Sequence, residues 1–117
     1  MFVKIGGTTV AYSTYATRPT GLTLTIINAK THEHVSSDTY TIYSGNGVAA
    51  HMTNADNLGN ALLSMSNDQI GILTSYGAFE NTNSIILKKA CYKLGLTRLA
   101  GALDNIAIRA PYVSIFY

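Results

Sequence analysis

Cysteine occurs once, at Cys91, in this chain of 117 residues, so an intramolecular disulfide framework is excluded and stability has to come from packing. A secreted module of this size would often carry paired cysteines, and the single thiol leans toward a chain made in a reducing cytosol. Charge is also scarce, at 12% of residues, about half the usual share for a soluble domain. Eight basic side chains are scattered against six acidic ones for a net charge of +2. The clustered Lys and Arg of a nucleic-acid binder are missing, so no nucleic-acid partner is expected. No apolar run approaches the ~18 residues of a membrane span, and no membrane insertion is expected. The opening "MFVKIGGTTV" has neither the apolar core nor the cleavage pattern of a signal peptide.

Hydrophobic residues, at 47%, are plentiful enough for one compact core, and residues 1–117 are expected to form a single domain. Thr, Ser, Asn, Gly and Tyr take the place of charge. Such a surface suits extracellular, virion-surface or sugar-contacting proteins, where hydroxyls and amides form neutral hydrogen bonds and aromatic faces stack on sugars. Tyrosine stands out, with eight copies and no tryptophan. Most of the tyrosines read as half-buried strand residues with the hydroxyl at the surface.

Residues 2–5 predict a short opening strand, Gly6 and Gly7 a tight turn, and residues 8–17 a second strand completing a hairpin. Arg18 to Gly21 punctuates the chain, since Pro19 cannot donate to a ladder. Residues 22–28 alternate so that Leu22, Leu24 and Ile26 share one face. A turn over residues 28–33 leads to a β-prone stretch, 35–43, with no clean core face, which "SGNG" at 44–47 ends. Residues 54–66 change period, with Ala55, Leu58, Ala61, Leu62 and Met65 three and four apart and Thr53 or Asn54 as N-cap. Residues 69–75 predict a buried central strand. A loop over 76–83 follows, and Thr82 or Asn83 is the expected cap of a helix carrying Ile86, Ala90 and Leu94 on one side and Leu87 and Cys91 beside them. Gly95 stands at its exit and Lys88, Lys89 and Lys93 lie on its opposite face. A further helical turn or loop over 96–105 precedes extended segments at 106–109 and 112–117, with Ala110 and Pro111 between them. The order implies an α+β fold, a compact β-sandwich-like domain of mixed sheets with two or three flanking helices.

Candidate chemistry is thin. His32 and His34 form an H-x-H pair at a turn and His51 lies downstream, but Cys91 is not at ligand spacing to any of them, so no metal is expected. The carboxylates Glu33, Asp38, Asp56, Asp68, Glu80 and Asp104 read as caps, turn residues and rim charges, and no spacing singles out a glycosidase pair. No nucleophile motif or phosphate loop is present, and Cys91 reads as a buried small hydrophobe. Neither a cofactor nor catalysis is expected. Tyr76, after the central strand, and Tyr112, near Arg109, are the candidate contact residues, because an Arg beside an aromatic can stack on and hydrogen-bond a polar ligand.

Several strings, taken in order, resemble the interleukin-like EMT inducer (PANDER-like) domain. "FVKIGGTTV" resembles that family's opening hairpin, V-F-V-x-V-x-G-T-T-V. "GLTLTIINAKTHEHVSSDTYTIYSG" is similar to its G-I-x-V-x-V-L-N-x-x-T-G-x-V followed by an F-D-T-Y element. "ALLSMSNDQIGILTSYG" resembles its helix, turn and I-V-L-I-A strand, "SIILKKACYKLGLTR" its helix ending in L-G-S, and "IRAPYVSIF" stands where the family has W-R-D-x-W-A-F-V-G. The resemblance spans essentially the whole chain and lies in the order of these segments. It implies a sandwich-like fold with flanking helices and no catalysis. The family includes secreted cytokine-like proteins, domains of phage tail-fibre-type proteins, and a transferase stem domain that binds β-linked N-acetylglucosamine.

For the sugar-contacting set, the resemblance carries over Arg109 alone. Thr20 stands near the family's G-R-G Arg, Ser75 or Tyr76 near an acidic loop residue, Thr41 at the F-D-T-Y Asp, and Ala110 and Tyr112 replace the Asp and second Trp of the W-R-D motif. The candidate ligand-binding residues are therefore Arg109, Tyr112, Ser75, Tyr76 and Thr20. The expected function is a non-catalytic virion module of a phage tail or tail fibre, made in the host cytoplasm. It would join other virion proteins or itself as a homo-oligomer, with a cell-surface glycan as a further ligand. The alternatives are an extracellular cytokine-like or lectin-type protein and, from another class, a sugar-active enzyme.

Overall fold

The computed structural model describes residues 2–5, 8–12, 21–43, 50–76, 84–103 and 112–116. The expected turn at Gly6 and Gly7, the continuation of the second strand to residue 17, and the segments 18–20, 44–47, 77–83 and 104–111 lie outside them, as do Thr20, Glu80, Asp104, Arg109 and Tyr117.

Strands β1 (Phe2–Ile5) and β2 (Thr8–Tyr12) pair antiparallel, as the opening pattern predicts. Strands β3 (Gly21–Asn28), β4 (His34–Tyr40), β5 (Gln69–Tyr76) and β6 (Val113–Phe116) form a four-stranded sheet in the order β4-β3-β5-β6. The helices are α1 (His51–Leu63), α2 (Ile85–Lys93) and α3 (Thr97–Ala102). The fold is α+β.

The expectation of mixed sheets is corrected: every described strand pair is antiparallel. The reason lies in how the chain crosses the sheet. β4 and β5 both pair antiparallel to β3, so they run parallel to each other, joined through α1. They never touch, because β3 sits between them. The hairpin fixes its own turn locally. Asn28 Oδ1 accepts from the amides of Lys30 (2.8 Å) and Thr31 (2.9 Å), an Asx-type turn that leaves His32 at a φ of 63°.

Leu22 and Leu24 on β3, Leu73 on β5 and Phe116 on β6 meet Ala55, Leu58 and Leu62 of α1, Leu87, Ala90 and Cys91 of α2, and Leu99 and Leu103 of α3 in one core. The face read from the alternation of β3 is thus the helix face. The other face of β3 is sealed too: Thr23, Thr25 and Ile27 are buried, as are Ile72 and Thr74 on β5, and β2 lies beside β5. β5 is central, as its unbroken apolar run predicts. β4 is an outer strand of this sheet, with Val35 exposed, which accounts for its lack of a single apolar face.

Two cap expectations are corrected. α1 begins at His51 after Ala50, with no side-chain cap, and the Asn54 amide instead donates to the Thr41 carbonyl (3.0 Å), tying the helix to the end of β4. The cap of α2 is Ser84, whose extended backbone lets its hydroxyl accept from the Leu87 amide (3.1 Å). Thr82 and Asn83 lie outside the described residues. At the other end of α2 the expected glycine stop is present. Gly95 has a φ of 76°, the Leu96 amide donates to the Cys91 carbonyl (2.7 Å) and the Gly95 amide to that of Tyr92 (3.3 Å), a Schellman motif.

Candidate functional site

Of the five candidate ligand residues, three are described, and all three lie at one end of the sheet. There β3 starts, β5 ends and β6 is entered, with Gly21 opposite Tyr76 in the ladder. Ser75 and Tyr112 are joined directly. The Ser75 amide donates to the Tyr112 carbonyl (2.9 Å) and the Tyr112 amide donates to the Ser75 hydroxyl (2.6 Å), extending the β5–β6 pairing by one step. Ser75 is buried, so its hydroxyl serves this junction.

Tyr112 is half-buried and packs against the core shared with the helices. Burial holds its phenol above the usual tyrosine range; a hydrogen bond from Ser114 partly offsets this, Cys91 adds to it and Arg98 opposes it. The ring therefore belongs to the helix side of the sheet. Strand alternation puts Tyr76 on the opposite face from Ser75. The structure thus brings Ser75 and Tyr112 together and separates them from Tyr76 by the thickness of the sheet. Thr20 and Arg109 lie outside the described residues.

The histidines do not converge. His32 and His34 are exposed in the hairpin turn and at its exit, and His34 Nε2 lies 2.8 Å from the Ser37 hydroxyl. His51 opens α1, with its Nδ1 buried and, among the described residues, unpartnered. Among the described residues no three His, Cys, Asp or Glu side chains group to hold a metal ion. Two described carboxylates have local structural partners: Asp56 Oδ1 accepts from the Ser84 hydroxyl (2.6 Å), and Asp68 faces Lys30 at 3.8 Å across exposed surface. Cys91 is fully buried on α2, and burial pushes its thiol up to about 11, so the thiolate is scarce at neutral pH.

Sequence reasoning missed a ladder of hydroxyls on the sheet face turned away from the helices. Thr23 Oγ1 lies 2.8 Å from Thr39 Oγ1, and Thr25 Oγ1 3.1 Å from Ser37 Oγ, each pair joining β3 to β4. Thr74 stands directly across from Thr23 on β5, its hydroxyl buried and without a partner among the described residues. The signal was present in the alternation of Thr23 with Thr25 and Ser37 with Thr39, read only for its apolar partners. Cross-strand hydroxyl pairs of this kind contribute about 0.2–1 kcal/mol each.

The same face continues onto β6 with Val113 and Ile115, 43% and 56% exposed. A neutral hydroxyl strip thus borders an exposed apolar pair on a four-residue strand that ends the described sheet. No protein-family model matches the chain, and no curated protein matches it either.

Proposed function

We propose that the chain is a non-catalytic binding and assembly module of a virion, of the kind carried by a phage tail or tail fibre, which joins copies of itself or other virion proteins through the β6 side of its sheet. The observation that carries this reading is the exposure of Val113 and Ile115 on one face of an outer strand. Apolar side chains on the last strand of a sheet are what a partner strand or sheet covers when proteins associate edge to edge. The low charge of the chain suits such a contact, since little has to be desolvated.

Glycan recognition is a second reading, supported by the family resemblance that carries over Arg109, three positions ahead of Tyr112 in the sequence. Light scattering across a range of concentrations tests the first reading. Association is expected, and Val113→Lys with Ile115→Lys is expected to abolish it while leaving the circular dichroism unchanged. A strictly monomeric chain, missing from purified virions by mass spectrometry, would remove assembly. A glycan array with Arg109→Ala as the comparison tests the second reading; no saccharide bound, or binding indifferent to the substitution, sinks it.

A further inference from the structure

On the solvent side of the α1–α2 crossing lies a groove of about 510 Å³, lined by Asn60 and Leu63 from α1 and Ile86, Lys89, Tyr92 and Lys93 from α2. Its size falls within the range of about 300–1,000 Å³ typical of ligand sites. Leu63 is 38% and Tyr92 64% exposed, so the groove presents apolar and aromatic surface to water rather than a closed core.

Its charge is of one sign. Lys89 and Lys93 are one turn apart on the same stripe of α2, and α2 carries no acidic residue. Among the described residues neither lysine has a carboxylate partner. The one acidic residue on α1 is Asp56, one turn before Asn60, and its carboxylate accepts from the Ser84 hydroxyl at the start of α2. Lys93 also suits the C-terminal end of α2, but that role leaves Lys89, in mid-helix, unexplained.

We propose that this groove docks an acidic peptide segment of a partner protein, with one or two large apolar side chains seated against Leu63, Ile86 and Tyr92 and flanking Asp or Glu residues facing Lys89 and Lys93. It rests on the reading of the chain as a binding module but uses a surface on the opposite side of the sheet from Val113 and Ile115. Charge complementarity selects the occupant. A second copy of the chain is the competing occupant, since Glu33, Asp38 and Asp68 stand at the exposed β3–β4 hairpin end, but Val35 there is a small anchor for a groove of this size, and a large apolar side chain fills it better. A concave floor also disfavours a lipid surface, which is bound by protruding apolar residues. An apolar anchor between acidic flanks uses both the floor and the rim.

The test is selection from a random peptide library on the folded chain, followed by titration of the enriched peptides with observation of the backbone amide resonances. Enriched peptides are expected to carry Asp or Glu around Leu, Ile or Phe and to shift the amides of Asn60, Leu63, Ile86 and Tyr92. Their affinity should fall about tenfold or more in the double variant Lys89→Glu, Lys93→Glu, and fall steeply with added salt, whereas Lys30→Glu leaves it unchanged. Lys89→Gln with Lys93→Gln, a milder pair at positions largely in solvent, provides the same reading if charge reversal perturbs folding. Any of four results overturns the proposal: peptides without acidic enrichment, equal binding by the double variant, binding of phosphatidylserine vesicles in place of peptides, or self-association that the double variant abolishes. Because β6 is not involved, loss of association in the Val113 and Ile115 variants would leave peptide binding intact.

Discussion

Helices α1 and α2 approach each other closely at a glycine. Gly59 lies mid-way along α1, and a Cβ built there would stand 2.8 Å from the Leu87 nitrogen and 2.9 Å from both the Ile86 carbonyl carbon and its Cγ2. Favourable contacts between such atoms lie near 3.5–4.0 Å, so a methyl group would be short by up to about 1 Å. Two of the three atoms are backbone and cannot rotate away. The start of α2 is also pinned, since the Leu87 amide donates to Ser84, whose hydroxyl donates to Asp56 on α1. Gly59→Ala must therefore push the helices apart or strain the link between them, an overpacking cost of about 1–3 kcal/mol. Helix propensity opposes this by about 1 kcal/mol in favour of Ala. The expected net effect is a loss of about 0–2 kcal/mol, or up to about 8 °C in Tm for a domain of this size.

Gly101 in α3 is the internal control. Nothing lies within 4 Å of a Cβ built there and its φ is ordinary, so Gly101→Ala is expected to gain about 0.5–1 kcal/mol. Urea denaturation followed by circular dichroism, with Tm measured alongside, compares the two. The slope with urea should be unchanged, since neither substitution alters the surface exposed on unfolding. If Gly59→Ala raises the midpoint as Gly101→Ala does, α1 and α2 are not in the contact described, and the groove built on their crossing falls with it.

Ser84→Ala removes the α2 cap and leaves Asp56 without its donor, and is expected to cost about 2 kcal/mol by urea denaturation. Ser84→Thr, which retains the hydroxyl, should recover a large part of that, and equal losses for the two would refute the capping role. Cys91 ties stability to alkaline pH. With its folded-state value at about 11 against an ordinary 9.0, the folded chain holds the proton longer, so this contribution is complete below about pH 9 and is lost as pH rises toward 11. The loss is of the order of 2–3 kcal/mol, and Cys91→Ala should flatten the decline between those values; Tyr40 and Tyr112, also raised, keep a residual slope of the same sign. Alkylation of Cys91 by iodoacetamide at pH 8 should follow unfolding, rising with urea, and prompt labelling of the native chain would contradict its burial.

Periodicity made the elements legible because it records which face meets the core. Leu22, Leu24 and Ile26 on β3 and the three-and-four spacing through Ala55, Leu58 and Leu62 both pointed to buried positions. The sheet's pairing was less legible. Period-2 alternation says that β3 has two faces, not that β4 and β5 flank it, and that arrangement turns expected mixed sheets into an antiparallel one. Cap positions slipped because Asn54 and Ser84 each bond a partner far away in sequence. Asn54 holds the carbonyl of Thr41, thirteen residues away in sequence, and Ser84 reaches Asp56 on another helix. Candidate site residues stood as single positions, from chemical type or from the family resemblance, and Ser75 and Tyr112 prove to be joined while Tyr76 faces the other way. Neither the Thr23–Thr39 ladder nor the Lys89–Tyr92 groove carries a motif, because each is made by positions that only the fold brings side by side.

The net charge of +2 conceals the more useful quantity, which is where the charges stand. Lys88, Lys89 and Lys93 lie on α2 and Arg98 opens α3, while Glu33, Asp38 and Asp68 lie on the β3–β4 hairpin and the turn before β5, with Lys30 among them. Among the described residues the helical layer is thus net positive, with Asp56 of α1 its one acidic side chain, and the hairpin end net negative, while the β6 strand carries no charge. Such a separation orients an approaching charged partner before contact, an effect that screening removes beyond about 8 Å at physiological salt. The two proposed contacts are thus separable by salt alone. Docking of an acidic segment on α2 weakens steeply as salt rises, whereas association through Val113 and Ile115, which rests on apolar burial, holds or strengthens. A single contact responsible for both would show one salt dependence, and parallel curves for peptide binding and self-association would mean that only one of the two surfaces is in use.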